Sequence, residues 1–228
     1  MSIRDEPWIL VKFGQEEHIR SFQNSLVYMN TIEYFKRVEN QQQRDIHEGT
    51  DVWLNPSTSD LLVDGYKLTQ EGGTLSVALS TSHCDIKVFC ACLICKGDIV
   101  RDDFKILDDR VCDFGDTFIV IHRWREFTDR LRRSLERELA SERIGAYQFE
   151  KVQYVDIDTF DGNYGPLRKP QQYEYQQEWR LAVKANDEEA YKFHIPSISD
   201  ISHIEKTKNF KNRIEKKDDG SGYNLIFS

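Results

Sequence analysis

One carboxylate stands where a polar run turns apolar: Gln176-Gln177-Glu178-Trp179-Arg180-Leu181-Ala182-Val183. The apolar half reads as a strand, so Glu178 sits at its mouth, where a side chain can face a cleft. An acid held there can stabilise positive charge that develops during a reaction, or orient or deprotonate an attacking group. Arg180 lies two positions on and shares a face with Glu178 in a regular strand. It can hold a pyrophosphate or pair with an acid. A strand Glu beside an Arg also reads as a structural ion pair.

Cysteine is the second chemistry to weigh. Cys90-x-Cys92-x-x-Cys95, with His83 and Cys84 nearby, has the donor types of a zinc site. On a strand Cys90 and Cys92 share one face and Cys95 takes the other, so the three do not converge. No second Cys-x-x-Cys follows, Cys112 stands alone, and the histidines show no ligand spacing. The sequence therefore predicts no metal. Apolar neighbours raise a thiol pKa, which argues against a cysteine nucleophile. Gly-x-Ser-x-Gly, a glycine-rich phosphate loop and His-Glu-x-x-His are all absent. This removes most hydrolase, P-loop and metalloprotease readings.

The elements that would position Glu178 follow from periodicity. Trp8 to Gly14 reads as a strand, Gln15 to Asn24 as a short helix with Ile19 and Phe22 inward, and Leu26 to Asn30 as a second strand. Thr31 is a candidate N-cap for a helix carrying Ile32, Tyr34, Phe35 and Val38. Asn40 to Gly49 reads as a polar loop, in which Asp45 and Glu48 cap a turn or border the cleft, the first being favoured. Leu61-Leu62-Val63 and Tyr66-Lys67-Leu68 flank Asp64-Gly65 as a hairpin. Strands are expected at Leu75–Leu79, Val88–Ile94 and Thr117–Ile121. A long helix is expected over Glu126–Arg143, with Phe127, Leu131, Leu135 and Leu139 recurring every four residues. A strand over Phe149–Ile157, a loop over Asp161–Tyr175, the Glu178 strand, and strands at Tyr191–Pro196 and Tyr223–Phe227 complete the reading. It predicts one α+β domain over residues 1–228, rich in short strands, with one long amphipathic helix.

Composition sets outer bounds. The 228 residues carry 39% hydrophobic side chains, enough for a sizeable core, and a net charge of −8. No apolar run of 18 residues exists, no signal-like start is seen, and five cysteines fall unevenly. A cytoplasmic protein without membrane association is the expectation. The acidic balance disfavours a general nucleic-acid binder, but two basic clusters stand out. One holds Arg130, Arg133 and Arg137 among the arginines of the long helix. The other holds Lys208 and Lys211 within the lysine-rich run from Lys206 to Lys217. Each reads as a solvated surface or as a phosphate-facing one.

The opening segment, Val11-Lys12-Phe13-Gly14, His18-Ile19, Phe22, Leu26-Val27-Tyr28-Met29-Asn30 and Tyr34-Phe35, together with the late acid in Gln176-Gln177-Glu178, resembles the ADP-ribosyltransferase superfamily. The likeness is to its bacterial toxin and nucleic-acid-targeting branches. It implies short, mostly antiparallel strands in a split sheet with a few helices, and NAD as a substrate with no metal. It also implies Glu178 and Tyr28 as catalytic residues, and a pocket made by Lys12, Phe13, Asn30, Tyr34, Phe35 and Arg180. Lys12 and Phe13 stand at the first-strand position where the family carries a polar residue. Its Ser-Thr-Ser strand motif has a counterpart only in Leu79-Ser80-Thr81-Ser82. Breaking the nicotinamide–ribose bond develops oxocarbenium character on the ribose, which a nearby carboxylate stabilises, and aromatic rings stack on nicotinamide. Aromatics at this spacing also fill cores, and Tyr34 reads as the one most inclined inward.

The expected activity is transfer of ADP-ribose to a macromolecule, RNA or DNA before protein. The resemblance implies the role of a toxin or phage-defence effector restrained by an antitoxin-like partner. A rival reading is a non-catalytic nucleic-acid-binding module that grips phosphates with the two basic clusters. A metal-free nuclease ranks last, because no acid pair has the spacing for it.

Overall fold

A computed structural model describes residues 6–37, 46–55, 62–63, 66–67, 77–80, 85–99, 107–185, 189–216, 219–220 and 223–225. The first half of the chain gives β1 (Pro7–Gly14), α1 (Glu16–Asn24), β2 (Leu26–Thr31), α2 (Ile32–Arg37), β3 (Val52–Leu54), β4 (Leu62–Val63), β5 (Tyr66–Lys67), β6 (Val77–Leu79), β7 (Ile86–Cys95) and β8 (Thr117–Ile121). The second half gives α3 (Trp124–Ala140), β9 (Ile144–Lys151), β10 (Gln153–Val155), β11 (Gly162–Asn163), β12 (Arg168–Pro170), β13 (Glu178–Ala185), β14 (Tyr191–His194), β15 (Ser202–Lys206), β16 (Ile214–Lys216) and β17 (Tyr223–Leu225). Short 3-10 helices span Asp109–Phe114, Gln171–Gln176 and Thr207–Arg213. The class is mixed α+β, as predicted, with mostly antiparallel pairing. Among the described residues β10–β12 is the one parallel pair.

Eight strands share one sheet. β14, β2, β7, β1, β8 and β15 run in that order, while β13 pairs with β7 on one side and β9 on the other. β7 is the axis. One of its edges is covered by β13 from Ile86 to Cys92. The opposite edge is divided: β1 takes Cys92 to Cys95, and β2 takes Lys87 and Val88. Between them Phe89, Cys90 and Ala91 have no strand partner on that edge among the described residues. β1 leaves β7 after Val11 and continues along β8 to Gly14, while β2 runs beside β14 up to Met29. The sheet is thus split, and the split opens beside the centre of β7.

The apolar pattern accounts for this. β1 is apolar on both faces, as strands covered on both sides are. Leu10 joins Phe89, Leu93, Phe22 and Phe127 in the main core under α1 and α3. Ile9, Val11 and Phe13 join Cys92, Ile94, Val111 and Phe118 in a second core on the other face. A third, small core of Ile32, Val88 and Ala182 sits under α2. The second and third cores lie on the same face of the sheet and leave the space between them open. Thr31 caps α2 as expected, its hydroxyl accepting from the Tyr34 N–H at 3.1 Å. Gly115 lets the Asp109–Phe114 helix close against β1, because any Cβ there would collide with the Gly14 backbone.

Several expectations are corrected. The long helix runs Trp124–Ala140 rather than Glu126–Arg143. Phe127, Leu131 and Leu135 are buried, but Leu139 is 41% exposed. A four-residue repeat drifts by about 40° per step on a 3.6-residue helix, so by Leu139 the stripe has rotated out. Glu138 takes the inward place, with Tyr191 Oη donating to it at 2.5 Å. The strand read over 149–157 is two strands broken at Val152. The loop read over 161–175 contains β11, β12 and a 3-10 helix. β4 and β5 pair antiparallel as the hairpin required, while Asp64 and Gly65 lie outside the described residues.

Two truncations separate the buried stripe from its exposed continuation. Leu135→Ala is expected to lose about 2–5 kcal/mol of unfolding free energy. Leu139→Ala should stay within about 0.5 kcal/mol of wild type. Urea melts of both variants check this.

Candidate functional site

Alternation along the split sheet gathers one set of side chains on the face that also carries the second and third cores. Cys90 and Cys92 of β7, Glu178 and Arg180 of β13, and Tyr28 and Asn30 of β2 occupy it. Over this face lies a cleft of about 740 Å³, within the range of roughly 300–1,000 Å³ usual for small-molecule sites. Tyr34 and Phe35 of α2 wall one side. Asp113 and Phe114, with Gln176 and Lys169, wall the other, and the cleft reaches through the split to His18, Ile19 and Phe22 of α1. Lys12, Phe13, Tyr28, Asn30, Tyr34, Phe35, Glu178 and Arg180, all singled out from the sequence, line this one cavity.

Glu178 lies at the cleft floor and is buried, with its backbone fixed on three counts. Its N–H donates to the Tyr154 hydroxyl at 2.8 Å, and its carbonyl accepts from Val152 N–H at 2.8 Å. The carbonyl of Gln177 before it accepts from Leu93 N–H at 2.8 Å. Gln177 holds a left-handed conformation at φ 44°, which turns the chain sharply into β13.

The carboxylate is held by cations on both oxygens. Arg180 Nε donates to Oε1 at 2.7 Å, and Lys169 Nζ lies 2.7 Å from Oε2. Arg180 in turn grips Glu48 through Nη1 at 3.0 Å and Nη2 at 2.6 Å, and donates to the Pro166 carbonyl at 2.6 Å. Lys169 also donates to Gln176 Oε1 at 2.9 Å and stands 3.7 Å from Glu48. Two acids and two bases thus form a buried, formally neutral network. Burial alone would raise the Glu178 pKa. The charges of Arg180 and Lys169, with hydrogen bonds from Arg180 and the Cys90 thiol, outweigh it and hold the carboxyl well below the usual range. Burial would lower the Lys169 pKa, yet the Glu178 charge carries it above the usual value.

Lys12 is the cation left over. Its ammonium donates to the Cys90 carbonyl at 2.8 Å, filling the split, and lies 4.3 Å from the centre of the Phe89 ring. No carboxylate among the described residues forms an ion pair with it. Burial lowers its pKa, against the opposing pull of Cys90, Cys92 and Glu178. Lys192 stands 5.3 Å over the Tyr28 ring on the β2 side of the cleft. Cys90 is pushed up to about 12, first by burial and then by the Glu178 charge, so it is a thiol in the cleft rather than a thiolate. Among the described residues no group of three His, Cys, Asp or Glu is placed to hold a metal ion.

Comparison with protein-family models, curated proteins and solved structures returns no match.

Other expectations change in detail. Tyr34 is not inward but 45% exposed, and Tyr28 is 46% exposed. Glu48 is no turn cap: it is buried against Arg180. Arg180, considered for pyrophosphate, is fully engaged within the protein. Arg130 faces no ligand surface, because Asp200 (2.6 Å), Glu126 and the Ser197 carbonyl surround its guanidinium. Arg133 donates back to the Asp129 carbonyl and Arg137 to Ser134 Oγ, both on the outer side of α3. Lys206 pairs with Glu16 and Asp116, Lys208 is exposed, and the Lys211 side chain lies outside the described residues.

Sequence reasoning missed Lys169, and it favoured a turn cap over a place beside the cleft for Glu48. One signal was available. Glu178 and Arg180 open a strand that is otherwise wholly apolar, and buried charges need partners. The partners come from distant loops, and no local pattern names them.

The network makes stability depend on acid pH. A carboxyl whose folded pKa is depressed stabilises above its unfolded value, about 4.3 for Glu, and that stability is lost as pH falls through and below it. Urea midpoints are therefore expected to hold above about pH 5 and to drop toward pH 3, with a shallower drop in Glu178→Gln. At pH 7 Lys169→Met leaves the two acids facing Arg180 alone and should lose about 3–5 kcal/mol.

Proposed function

We propose that this chain cleaves NAD at the nicotinamide–ribose bond and transfers ADP-ribose to a macromolecular acceptor. One observation carries the reading: a rigidly held carboxylate, kept ionised by two cations, lies at the floor of a cleft walled by aromatic rings, beside a lysine that forms no ion pair among the described residues. A ligand with flat rings and a negatively charged linker complements that set. Tyr34 and Phe35 offer ring faces, Asn30 offers an amide to a carboxamide or hydroxyl, and Lys12 offers its charge to pyrophosphate.

In the proposed step the C1–N bond breaks and its electron pair leaves with nicotinamide. The ribose takes on oxocarbenium character, and the acceptor's nucleophilic atom bonds to C1 and releases its proton to solvent. Glu178 acts by electrostatics. Two cations keep it ionised and make it a poor base, so its part is to stabilise the ribose cation through the lone pairs left to it. A carboxylate offers about four acceptor positions, and Arg180, Lys169 and the Cys90 thiol take three. Tyr28, beside Lys192, would meet the acceptor side. The resemblance would make such a transferase an effector restrained by a partner protein. The rival nucleic-acid-gripping module has weaker support, because Arg130 and Lys206 are already engaged by carboxylates.

Nicotinamide release and label transfer from radiolabelled NAD test the reading. Glu178→Gln is expected to lower both by about 10²–10³-fold while thermal melts still report a folded protein. Release at the wild-type rate by that variant overturns the assignment. Lys12→Met should raise the KM for NAD by about tenfold or more and flatten its dependence on salt, since it removes a charge-assisted contact to phosphate. An unchanged KM refutes the phosphate role.

A further inference from the structure

We infer that Glu48 is a positioning residue for Glu178, acting through the Arg180 guanidinium; the inference rests on the NAD-cleavage reading above. Glu48 is 3% exposed and lies behind Arg180, outside the lining of the cleft, so it touches no ligand. Its effect is on the orientation of the guanidinium that holds Glu178.

A guanidinium has two edges that match a carboxylate, the terminal Nη1–Nη2 edge and the side Nε–Nη2 edge. Glu48 takes the terminal edge, with Oε2 on Nη1 at 3.0 Å and Oε1 on Nη2 at 2.6 Å. Nε donates to Glu178 at 2.7 Å, so the two-pronged hold by Glu48 sets the direction from which Arg180 meets Glu178. Without the Glu48 charge the guanidinium loses its two-pronged anchor and can rotate against Glu178. The lone pairs proposed to face the ribose would then lose their fixed direction. Glu48 also balances charge. It stands 3.7 Å from Lys169, so two cations are shared by two acids and Glu178 is not left as the only counter-ion.

The scaffold fixes Glu48 independently of the cleft. The Tyr164 N–H donates to the Asp51 carbonyl at 2.7 Å, and the Gly165 N–H to the Thr50 carbonyl at 3.0 Å. These bonds tie the Glu48 turn to the segment that presents the Pro166 carbonyl to Arg180. Three stretches distant in sequence thereby converge on one guanidinium.

The test compares steady-state NAD cleavage by wild type, Glu48→Gln and Glu48→Asp, with NAD binding measured by calorimetry on each. Glu48→Gln removes the charge. Glu48→Asp keeps the charge but shortens the reach. Expected is a fall in kcat of about 10–100-fold for Glu48→Gln, the scale seen when a partner that orients a functional group is removed. KM and calorimetric Kd should stay within about threefold, and Glu48→Asp should fall between. Should Glu48→Gln not fold, Glu48→Asp decides alone: a lowered kcat at unchanged Kd supports the inference, and a wild-type kcat overturns it. A loss that appears in KM and Kd rather than kcat also overturns it. A wild-type protein that leaves NAD intact sinks the NAD reading together with this one, whereas active wild type with fully active variants sinks this one only.

Discussion

Four formal charges lie under the floor of one cleft, and each would be untenable there alone. Taking an ion out of water costs several kcal/mol even after relaxation, and only close opposite charges and hydrogen bonds offset it. Glu48, Lys169, Glu178 and Arg180 meet that condition together, with contacts of 2.6–3.0 Å closing the set. The consequence reaches well beyond the site. The turn bearing Glu48, the segment with Pro166, β12 with Lys169 and the start of β13 come from separate parts of the chain. All must arrive in place before the full set of charges is satisfied. Much of the irregular structure beside the sheet is organised by this requirement.

The split in the sheet is the complementary constraint. β1 and β2 compete for one edge of β7, and neither covers Phe89 to Ala91. A bare edge of three residues is a liability in a sheet centre, because backbone polar groups there need partners. Lys12 supplies one by reaching across the main-core face to the Cys90 carbonyl. The same lysine is thereby held at the cleft, and no carboxylate among the described residues forms an ion pair with it. One side chain thus satisfies the backbone at the split and leaves a cation available to a ligand.

Legibility in the sequence divided along the range of the forces involved. β1, α1, β2 and α2 were readable because period-two and period-3.6 patterns and the Thr31 cap are local. Glu178 was readable because it interrupts an apolar strand at its first residue. α3 was readable except at its end, where a repeat of four outran the helix period and exposed Leu139. Lys169 was not readable as a site residue, and Glu48 was readable only as one of two alternatives. Their placement depends on tertiary hydrogen bonds between loops, and a polar residue in a polar run carries no local mark of burial. The basic clusters misled for the same reason. Arg130 looks free in sequence, yet its partner Asp200 is 70 positions away.

Stability gives no sufficient account of the network. Apolar side chains of similar volume can replace a buried ion set at no loss, and often with a gain. What an ion set provides that apolar packing cannot is a fixed direction for an unquenched dipole or charge at a solvent-open surface. Here the direction is legible in the geometry. Arg180 presents two N–H groups to Glu48 and one to Glu178, and Lys169 binds the second oxygen of Glu178 from the cleft wall. Glu178 is thus held on both oxygens at the floor of the cleft, its charge matched by two fixed cations. That arrangement suits a group that must stabilise charge without moving or accepting a proton.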